Sequence, residues 1–153
     1  MHHTKPPKGH GYTSCLIIVI PLLLMSCSPL RLTQEFDETS ERKIVSIQEK
    51  VSRFFVRMER MAGTPEGNYV KYNDFYEDVR TEIDVLQARN RAIPMSGTTQ
   101  EQLDLLRQEV DQLEALHRSG FHGTDEIAPL KSGLEGTLVA MQKYQFTLKN
   151  RMK

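Results

Sequence analysis

Cysteine is scarce in this sequence, with two residues, Cys15 and Cys27, in a chain of 153. Both lie close to an apolar segment near the amino terminus, and the polar chain that follows Cys27 has none. A disulfide within that polar part is therefore excluded, even in an oxidising compartment, and its fold has to be held together by packing.

Neither sign of charge is in excess, because 20 basic residues face 20 acidic ones. Domains that bind nucleic acid usually have a marked basic excess, so nucleic acid is not an expected partner. The sequence also lacks Gly-x-Ser-x-Gly, a glycine-rich phosphate loop and Cys-x-x-Cys-His, which are patterns of hydrolases, nucleotide-binding proteins and c-type haem proteins. We therefore expect no enzymatic activity and no cofactor.

The longest apolar run, LIIVIPLLLM at residues 16–25, is too short for a transmembrane helix, which needs about 20 apolar residues. Pro21 in its middle argues against a core strand, because proline cannot donate a hydrogen bond to a neighbouring strand. The residues before the run include Lys5 and Lys8 and no acid, and the chain after it is polar. A basic start, a short apolar core and small residues at its end are typical of a secretory signal peptide.

The end of this segment, Leu24-Met25-Ser26-Cys27, resembles the lipobox of bacterial lipoproteins. That motif consists of an aliphatic residue, a variable position, a small residue and a cysteine. The resemblance implies that a peptidase cuts before Cys27 and that Cys27 carries a diacylglyceryl group and an acylated amino terminus. Ser28, where an aspartate would favour the inner membrane, resembles the pattern of outer-membrane lipoproteins that face the periplasm. Two or more acyl chains give stable membrane attachment.

The resemblance divides the chain into a signal peptide at 1–26, a lipidated tether at 27–39 and a helical domain at 40–153. Cleavage removes two lysines and no acid, which leaves a small negative net charge. A tether of about a dozen residues reaches at most roughly 45 Å. The helical domain is therefore expected to work close to the membrane that carries the anchor.

After residue 40, apolar residues recur with the spacing of amphipathic helices, as at Ile44, Ile47 and Val51. Glycine and proline interrupt the pattern three times. Four helices are predicted, at about 40–61, 73–91, 98–118 and from 124 or 129 onward. Short connections favour antiparallel neighbours, so the predicted fold is all-α, an up-down-up-down four-helix bundle.

Polar residues at two predicted helix starts fit capping patterns. Asp74 and Glu77 offer a capping pair for the second helix, and Thr98-x-x-Glu101 matches a capping box for the third. Pro129 in the first turns of the fourth helix is tolerated, because the amide that proline lacks would have no partner there.

Glu114-Ala-Leu-His117 is one half of the pattern by which some four-helix bundles hold a di-iron site. A complete site needs a second Glu-x-x-His, but the residue three before His122, the other histidine after residue 26, is Ser119. A homodimer is one way to supply the second half. The alternative is a partly packed histidine that the dipole at a helix end stabilises, and no metal is expected.

Six residues are candidates for a protein interface: Phe55, Tyr69, Tyr72, Tyr76, Gly133 and Gly136. Tyrosine clusters often anchor interfaces, and the alternative is an aromatic plug that closes one end of the bundle. The phenylalanine lies beside the apolar stripe and either widens the buried face or is exposed for contact. The two glycines form a small-residue edge, either for close packing against a neighbouring helix or for docking of a second chain.

The first predicted helix carries six basic residues: Arg42, Lys43, Lys50, Arg53, Arg57 and Arg60. We expect a solvated face paired with acids of the second and third helices. Contact with lipid headgroups is the other interpretation, because the tether would hold this helix near the membrane.

Together these features predict a non-enzymatic lipoprotein, attached through its acyl chains to the outer membrane, that binds an unidentified envelope protein from the periplasmic side. Two alternatives stay open. One is a metal-binding bundle that uses Glu114 and His117, and the other is a surface-displayed lipoprotein that binds external factors. No pattern in the sequence predicts an oligomeric state.

Overall fold

The computed structural model describes residues 1–4 and 33–152. The chain divides into two compact units, Met1–Arg31 and Leu32–Lys153. The predicted lipobox, from Leu24 to Cys27, lies outside the described residues.

Four helices form most of the second unit: α1 (Glu38–Met61), α2 (Asn73–Arg91), α3 (Gly97–Ser119) and α4 (Thr124–Asn150). Two short 3-10 helices, Pro65–Gly67 and Tyr69–Tyr72, lie between α1 and α2. No strand occurs in residues 1–4 or 33–152. The prediction of an all-helical fold with four helices is therefore confirmed. Within the described part of the chain, none of the helices is long and apolar enough to cross a membrane.

Asp37 caps α1 and also ties its start to α2. Its Oδ2 accepts hydrogen bonds from the Ser40 amide (3.1 Å) and the Ser40 hydroxyl (2.7 Å), as expected of an N-cap residue. Arg89 of α2 donates to both carboxylate oxygens, at 2.5 and 2.8 Å. These bonds, chiefly those from Arg89, lower the pKa of Asp37 well below its usual range, against the opposing effect of burial.

The capping patterns predicted for α2 and α3 are wrong. Tyr72 precedes α2 and gives it no side-chain cap, although Asp74 lies in the first turn. Helix α3 begins at Gly97 rather than after Thr98, and Ser96 at its N-cap makes no capping hydrogen bond.

One apolar core lies between the four helices. On α1 the predicted stripe is buried in it, and Phe55 beside the stripe is buried as well: the members are Ile44, Ile47, Val51, Phe54, Phe55 and Met58. The stripes of the other helices are buried in the same way, as at Val79, Leu106 and Leu134. Contacts run from α1 to α2, α2 to α3, α3 to α4 and α4 to α1, so each helix packs mainly against two others.

Polar contacts join four segments at one end of the bundle, which we call the Gln34 end. Gln34 donates to Asn90 near the end of α2 (2.9 Å) and accepts from Thr99 near the start of α3 (2.6 Å). Glu41 in the first turns of α1 pairs with Lys149 in the last turn of α4 (2.9 Å).

The other end, which we call the Tyr69 end, contains the connection between α1 and α2. Tyr69 in this connection donates to Glu114 near the end of α3 (2.6 Å). Glu59, near the end of α1, pairs with Lys131 in the first turns of α4 (2.6 Å). The two ends therefore carry different sets of polar side chains.

Candidate functional site

The Tyr69 end forms where the chain between α1 and α2 passes over the end of α3. Asn68 caps the second 3-10 helix by accepting from the Val70 amide (3.1 Å). Gly67 is buried, and a Cβ at this position would overlap the carbonyl oxygen of Met61. Glycine is therefore required here by the close approach of two backbone segments.

His117 of α3 is buried and bonds through both ring nitrogens. Its Nε2 lies 2.8 Å from the carbonyl oxygen of Gly67, which can only accept, so Nε2 carries the hydrogen and donates it. Its Nδ1 lies 2.9 Å from the Tyr76 hydroxyl and, in the neutral ring, accepts from it. Burial lowers the pKa of His117, which favours that neutral form.

Glu114, one helical turn before His117, is buried among hydrogen-bond donors. Its Oε1 accepts from Tyr69 (2.6 Å) and from Arg118 (2.9 Å), and its Oε2 pairs with Arg80. Burial alone would raise the pKa of Glu114, but the hydrogen bonds from Arg80, Tyr69 and Arg118 outweigh it and lower the pKa to about 2. The carboxylate therefore stays ionised at neutral pH.

The Tyr76 hydroxyl is equally fixed in one protonation state. Burial and the nearby negative charge of Glu114 raise the pKa of Tyr76 well above its usual range. The hydroxyl thus keeps its proton at neutral pH and can donate it to the neutral ring of His117.

The predicted half-site for a metal, Glu114 and His117, is a hydrogen-bonded network in this fold. Both histidine nitrogens and both carboxylate oxygens already have partners. Among residues 1–4 and 33–152, no group of three or more histidine, cysteine, aspartate or glutamate side chains is arranged to hold a metal ion. Binding a metal at the half-site would require several buried hydrogen bonds to break.

Aromatic rings enclose His117 and close this end of the core. Phe121, which follows α3, stacks on the histidine ring with a centroid distance of 4.5 Å and an interplanar angle of 10°. Phe54 and Tyr69 approach the same ring edge-on, at 5.7 and 5.8 Å. Aromatic pairs prefer these arrangements, and the arrangement corresponds to the plug that was one interpretation of the tyrosine cluster.

The aromatic interface candidates divide into two buried and two partly exposed residues. Phe55 and Tyr76 are 0% exposed, so neither offers surface to a partner in the folded protein. Phe55 therefore widens the buried face of α1, which was one of the two interpretations of this residue. Tyr69 and Tyr72 are half-buried, and Arg118 lies over the Tyr69 ring at 4.6 Å. The surface of the cluster therefore consists of the two residues of the 3-10 segment.

The two glycine candidates on α4 have different surroundings. Gly133 is exposed, and a Cβ there would lie 3.3 Å from the Glu109 carboxylate of α3. Gly136 is also exposed, but a Cβ there would meet nothing within 4 Å. A Cβ at Gly133 would thus require a small movement of the Glu109 carboxylate, whereas nothing near Gly136 requires glycine.

A surface cleft of about 270 Å³ lies beside Tyr72, between α1 and α2. Its lining includes Arg53, Arg57 and Phe75, whose ring stacks on Phe54 at 4.3 Å. Within the described residues the two arginines form no ion pair. The cleft thus presents two arginines without an ion pair next to aromatic side chains, and the Lys50–Asp78 ion pair lies in the same lining.

Of the six basic residues of α1, Lys50 and Arg42 form ion pairs within the described residues, and the expected pairing with acids of the second and third helices is found for Lys50 alone. Lys50 pairs with Asp78 and Glu82 of α2, at 3.2 and 3.3 Å, as the expectation of a paired face requires. Arg42 pairs instead with Glu38 on its own helix, at 2.9 Å. Lys50 thus offsets one of the two negative charges of Asp78 and Glu82, and Asp78 itself lines the cleft.

Nothing in the sequence predicts the polar contacts of Gln34. Its side chain is 3% exposed, although it lies in the segment that was predicted to be a free tether. Asn90, which accepts from it, also donates to the carbonyl oxygen of Leu86 (2.9 Å) and to Ser40 (3.4 Å). Gln34 belongs to no repeating apolar pattern that would predict its burial, and its two partners are 56 and 65 residues away in the chain.

Neither a protein-family model, nor a curated protein, nor a solved structure matches this chain.

Proposed function

We propose that this protein is a non-enzymatic lipoprotein of the bacterial envelope, anchored through Cys27 at the outer membrane and facing the periplasm. Its helical bundle binds an envelope protein. The anchor is supported by the resemblance of residues 24–27 to a lipobox and by the short basic and apolar segments before them. Burial of two or more acyl chains would hold the bundle at the membrane.

The observation that carries partner binding is the cleft between α1 and α2. Two exposed arginines, Arg53 and Arg57, lie beside Tyr72 and Phe75 and have no ion pair within the described residues. Arginine and tyrosine are enriched among the residues that dominate binding energies at protein interfaces. A partner segment with carboxylates next to an apolar side chain would complement this surface.

We further infer that neighbouring helices run antiparallel, as expected for connections this short. Cross-helix pairs support it: Gln87 bonds to Asp104, whereas Arg80, earlier in α2, pairs with Asp111, later in α3. The α1 and α4 pairs follow the same order, because the partners of Glu41 and Glu59 are Lys149 and Lys131. This arrangement separates the Gln34 end from the Tyr69 end by the length of the bundle.

Site-specific photo-crosslinking in living cells tests the partner hypothesis. A benzophenone amino acid replaces Tyr72 at the cleft, and in a matched control strain it replaces Phe146, an exposed aromatic residue of α4. We expect a discrete adduct from position 72 and none of the same size from position 146. The double substitution Arg53→Glu and Arg57→Glu should remove the adduct without changing the amount of protein.

Two results would contradict the proposal. One is the same adduct from both positions, which would indicate collision rather than binding at the cleft. The other is an adduct from position 72 that survives reversal of both arginine charges. Protease added to intact cells separates the periplasmic location from surface display, because a periplasmic domain is protected until the outer membrane is opened.

A further inference from the structure

The chain reaches the bundle at Gln34, four residues before α1 begins. The Gln34 side chain lies between α2 and α3, and its amide oxygen and nitrogen both bond to buried side chains, Thr99 and Asn90. Each of these bonds is buried, so releasing Gln34 would leave polar groups unpaired in the interior. The chain is therefore fixed to the bundle from Gln34 onward, before α1 begins.

This attachment point shortens the distance over which the anchor can act. Cys27 and Gln34 are seven positions apart in the sequence, and a fully extended segment of that length reaches at most about 25 Å. Helix α1 has 24 residues, which corresponds to a length of about 36 Å at 1.5 Å per residue. An anchor at Cys27 thus holds the Gln34 end at the membrane and leaves the Tyr69 end free to project away.

The Gln34 end exposes large apolar side chains. Met95, in the connection between α2 and α3, is 57% exposed and has a φ of 61°, in the left-handed region that residues other than glycine rarely adopt. Met152, just after α4, is 61% exposed. Exposed apolar side chains grouped at one end of a molecule often mark a contact with a protein or a membrane.

Cationic groups accompany these methionines. Arg91 ends α2 and Arg151 follows α4, and both are exposed without an ion pair in the described residues. Asp37 and Glu41 at the same end are neutralised by Arg89 and Lys149.

Three further acids, Glu35, Glu38 and Glu101, lie in the segments of this end, and Glu38 pairs with Arg42. Because these acids offset the basic residues of the end, contact with lipid phosphates would come from Arg91 and Arg151 individually and not from a basic excess.

We propose that the Gln34 end contacts the phospholipid surface that carries the anchor. Met95 and Met152 enter the headgroup layer, and Arg91 and Arg151 contact lipid phosphates. The proposal rests on acylation of Cys27, and it adds an orientation to the proposed function. The cleft near Tyr72 then faces a partner away from the membrane.

Quenching by labelled lipids tests the orientation. The full chain is expressed as Met95→Cys or as Val70→Cys, purified from membranes, labelled with an environment-sensitive fluorophore and placed in vesicles of phosphatidylethanolamine and phosphatidylglycerol that contain a lipid with a nitroxide headgroup. Val70 is the matched control, because it is an exposed apolar residue (72%) at the Tyr69 end. Acylation of Cys27 leaves the introduced cysteine as the reactive thiol.

We expect strong quenching and a blue shift at position 95 and little of either at position 70. Reversing the charges of Arg91 and Arg151 should remove most of the excess quenching at position 95, whereas Arg60→Glu on the Tyr69 side of α1 should not. Intact mass is measured on every sample first. An acylated chain that is quenched equally at both positions overturns this proposal alone, whereas a chain without acyl groups overturns the anchor and the proposal together.

Discussion

His117 links α3 to two other segments of the chain, the carbonyl oxygen of Gly67 and the hydroxyl of Tyr76. Forming a buried hydrogen bond of this kind adds little to the free energy of unfolding. Removing one of its two partners lowers that free energy more, because the other group stays buried without a partner. The Glu114 carboxylate is held beside it by two arginines and a tyrosine. At the scale of the residue, this network is a structural device that fixes the connection over α3.

We expect Tyr76→Phe to lower the free energy of unfolding, because it leaves the Nδ1 acceptor of His117 buried without a donor. The loss should be about 1–3 kcal/mol. Urea unfolding followed by circular dichroism measures it. Tyr144→Phe, on the half-buried side of α4, is the control and should change stability by less than about 0.5 kcal/mol. Equal effects of the two substitutions would show that the hydrogen bond from Tyr76 to His117 does not stabilise the fold.

The network also predicts a dependence of stability on pH. The pKa of Glu114 is lowered from 4.5 to about 2 in the folded chain, so between these values the unfolded chain binds more protons than the folded one. Stability should therefore fall as the pH falls from about 4.5 toward about 2. The lowered pKa of His117 acts in the same direction below 6.5, because the buried ring resists protonation.

Unfolding by urea at a series of pH values, for the wild type and for Glu114→Gln, isolates this contribution. The variant should be less stable at neutral pH and should lose less stability on acidification. Glu77→Gln, an exposed residue of α2, serves as the control and should follow the wild type. Parallel curves for Glu114→Gln and the wild type would contradict the assignment.

Sequence spacing identified Glu114 and His117 as a pair on one face of α3, but it could not identify their role. The residues that bond to them, such as Gly67 and Tyr69, are 45 to 50 positions away in the chain. Such partners depend on how the connection between α1 and α2 crosses α3. Only the folded backbone shows that two arginines and a tyrosine donate to Glu114 and that His117 donates to the carbonyl oxygen of Gly67.

At the scale of the element, the connection between α1 and α2 depends on close backbone packing. Gly67 lies against the backbone of Met61, donates its amide to Thr64 (3.1 Å) and presents its carbonyl oxygen to His117. The second 3-10 helix, Tyr69–Tyr72, follows Asn68 and carries two of the aromatic residues of the Tyr69 end. The position of this connection over α3 therefore depends on Gly67.

We expect Gly67→Ala to destabilise the protein, because the new methyl group would overlap the Met61 carbonyl oxygen and push the connection away from α3. Overpacking of this kind typically costs about 1–3 kcal/mol. Chemical unfolding measures the loss, and the chemical shift of the His117 ring in NMR spectra reports the displaced carbonyl. An unchanged midpoint of chemical unfolding would mean that the connection between α1 and α2 can move away from Met61 without loss of stability.

Gly136→Ala should have the opposite effect. Gly136 is exposed inside α4, and a Cβ there would meet nothing within 4 Å. Alanine is favoured over glycine in a helix interior by up to about 1 kcal/mol, so the midpoint of thermal unfolding should rise. A fall would indicate that the small-residue edge of α4 is needed for a contact within the chain. A gain of stability with loss of the crosslinked partner would assign that edge to docking.

The helices themselves were predictable because each buries a stripe that repeats every three or four residues, as at Ile44, Ile47 and Val51. Helix starts were less predictable. Thr98-x-x-Glu101 has the residues of a capping box, yet α3 begins one residue earlier, after a turn in which Met95 adopts a positive φ.

At the scale of the whole molecule, the bundle has two unlike ends. The Gln34 end binds the incoming chain through Asn90 and Thr99 and exposes methionines and arginines. The Tyr69 end encloses His117 and borders the cleft that contains Arg53 and Arg57. We propose that the first end lies at the membrane and that the second faces a partner, so the direction of the bundle follows from where the tether attaches.

The most direct test of this account is the intact mass of the protein extracted from its native membrane, beside a Cys27→Ala variant. We expect the wild-type mass to equal residues 27–153 plus a diacylglyceryl group and an amide-linked acyl chain, and the variant to leave the membrane fraction. An unacylated wild-type mass, or a variant that fractionates with the wild type, would contradict the anchor and, with it, the orientation of the bundle.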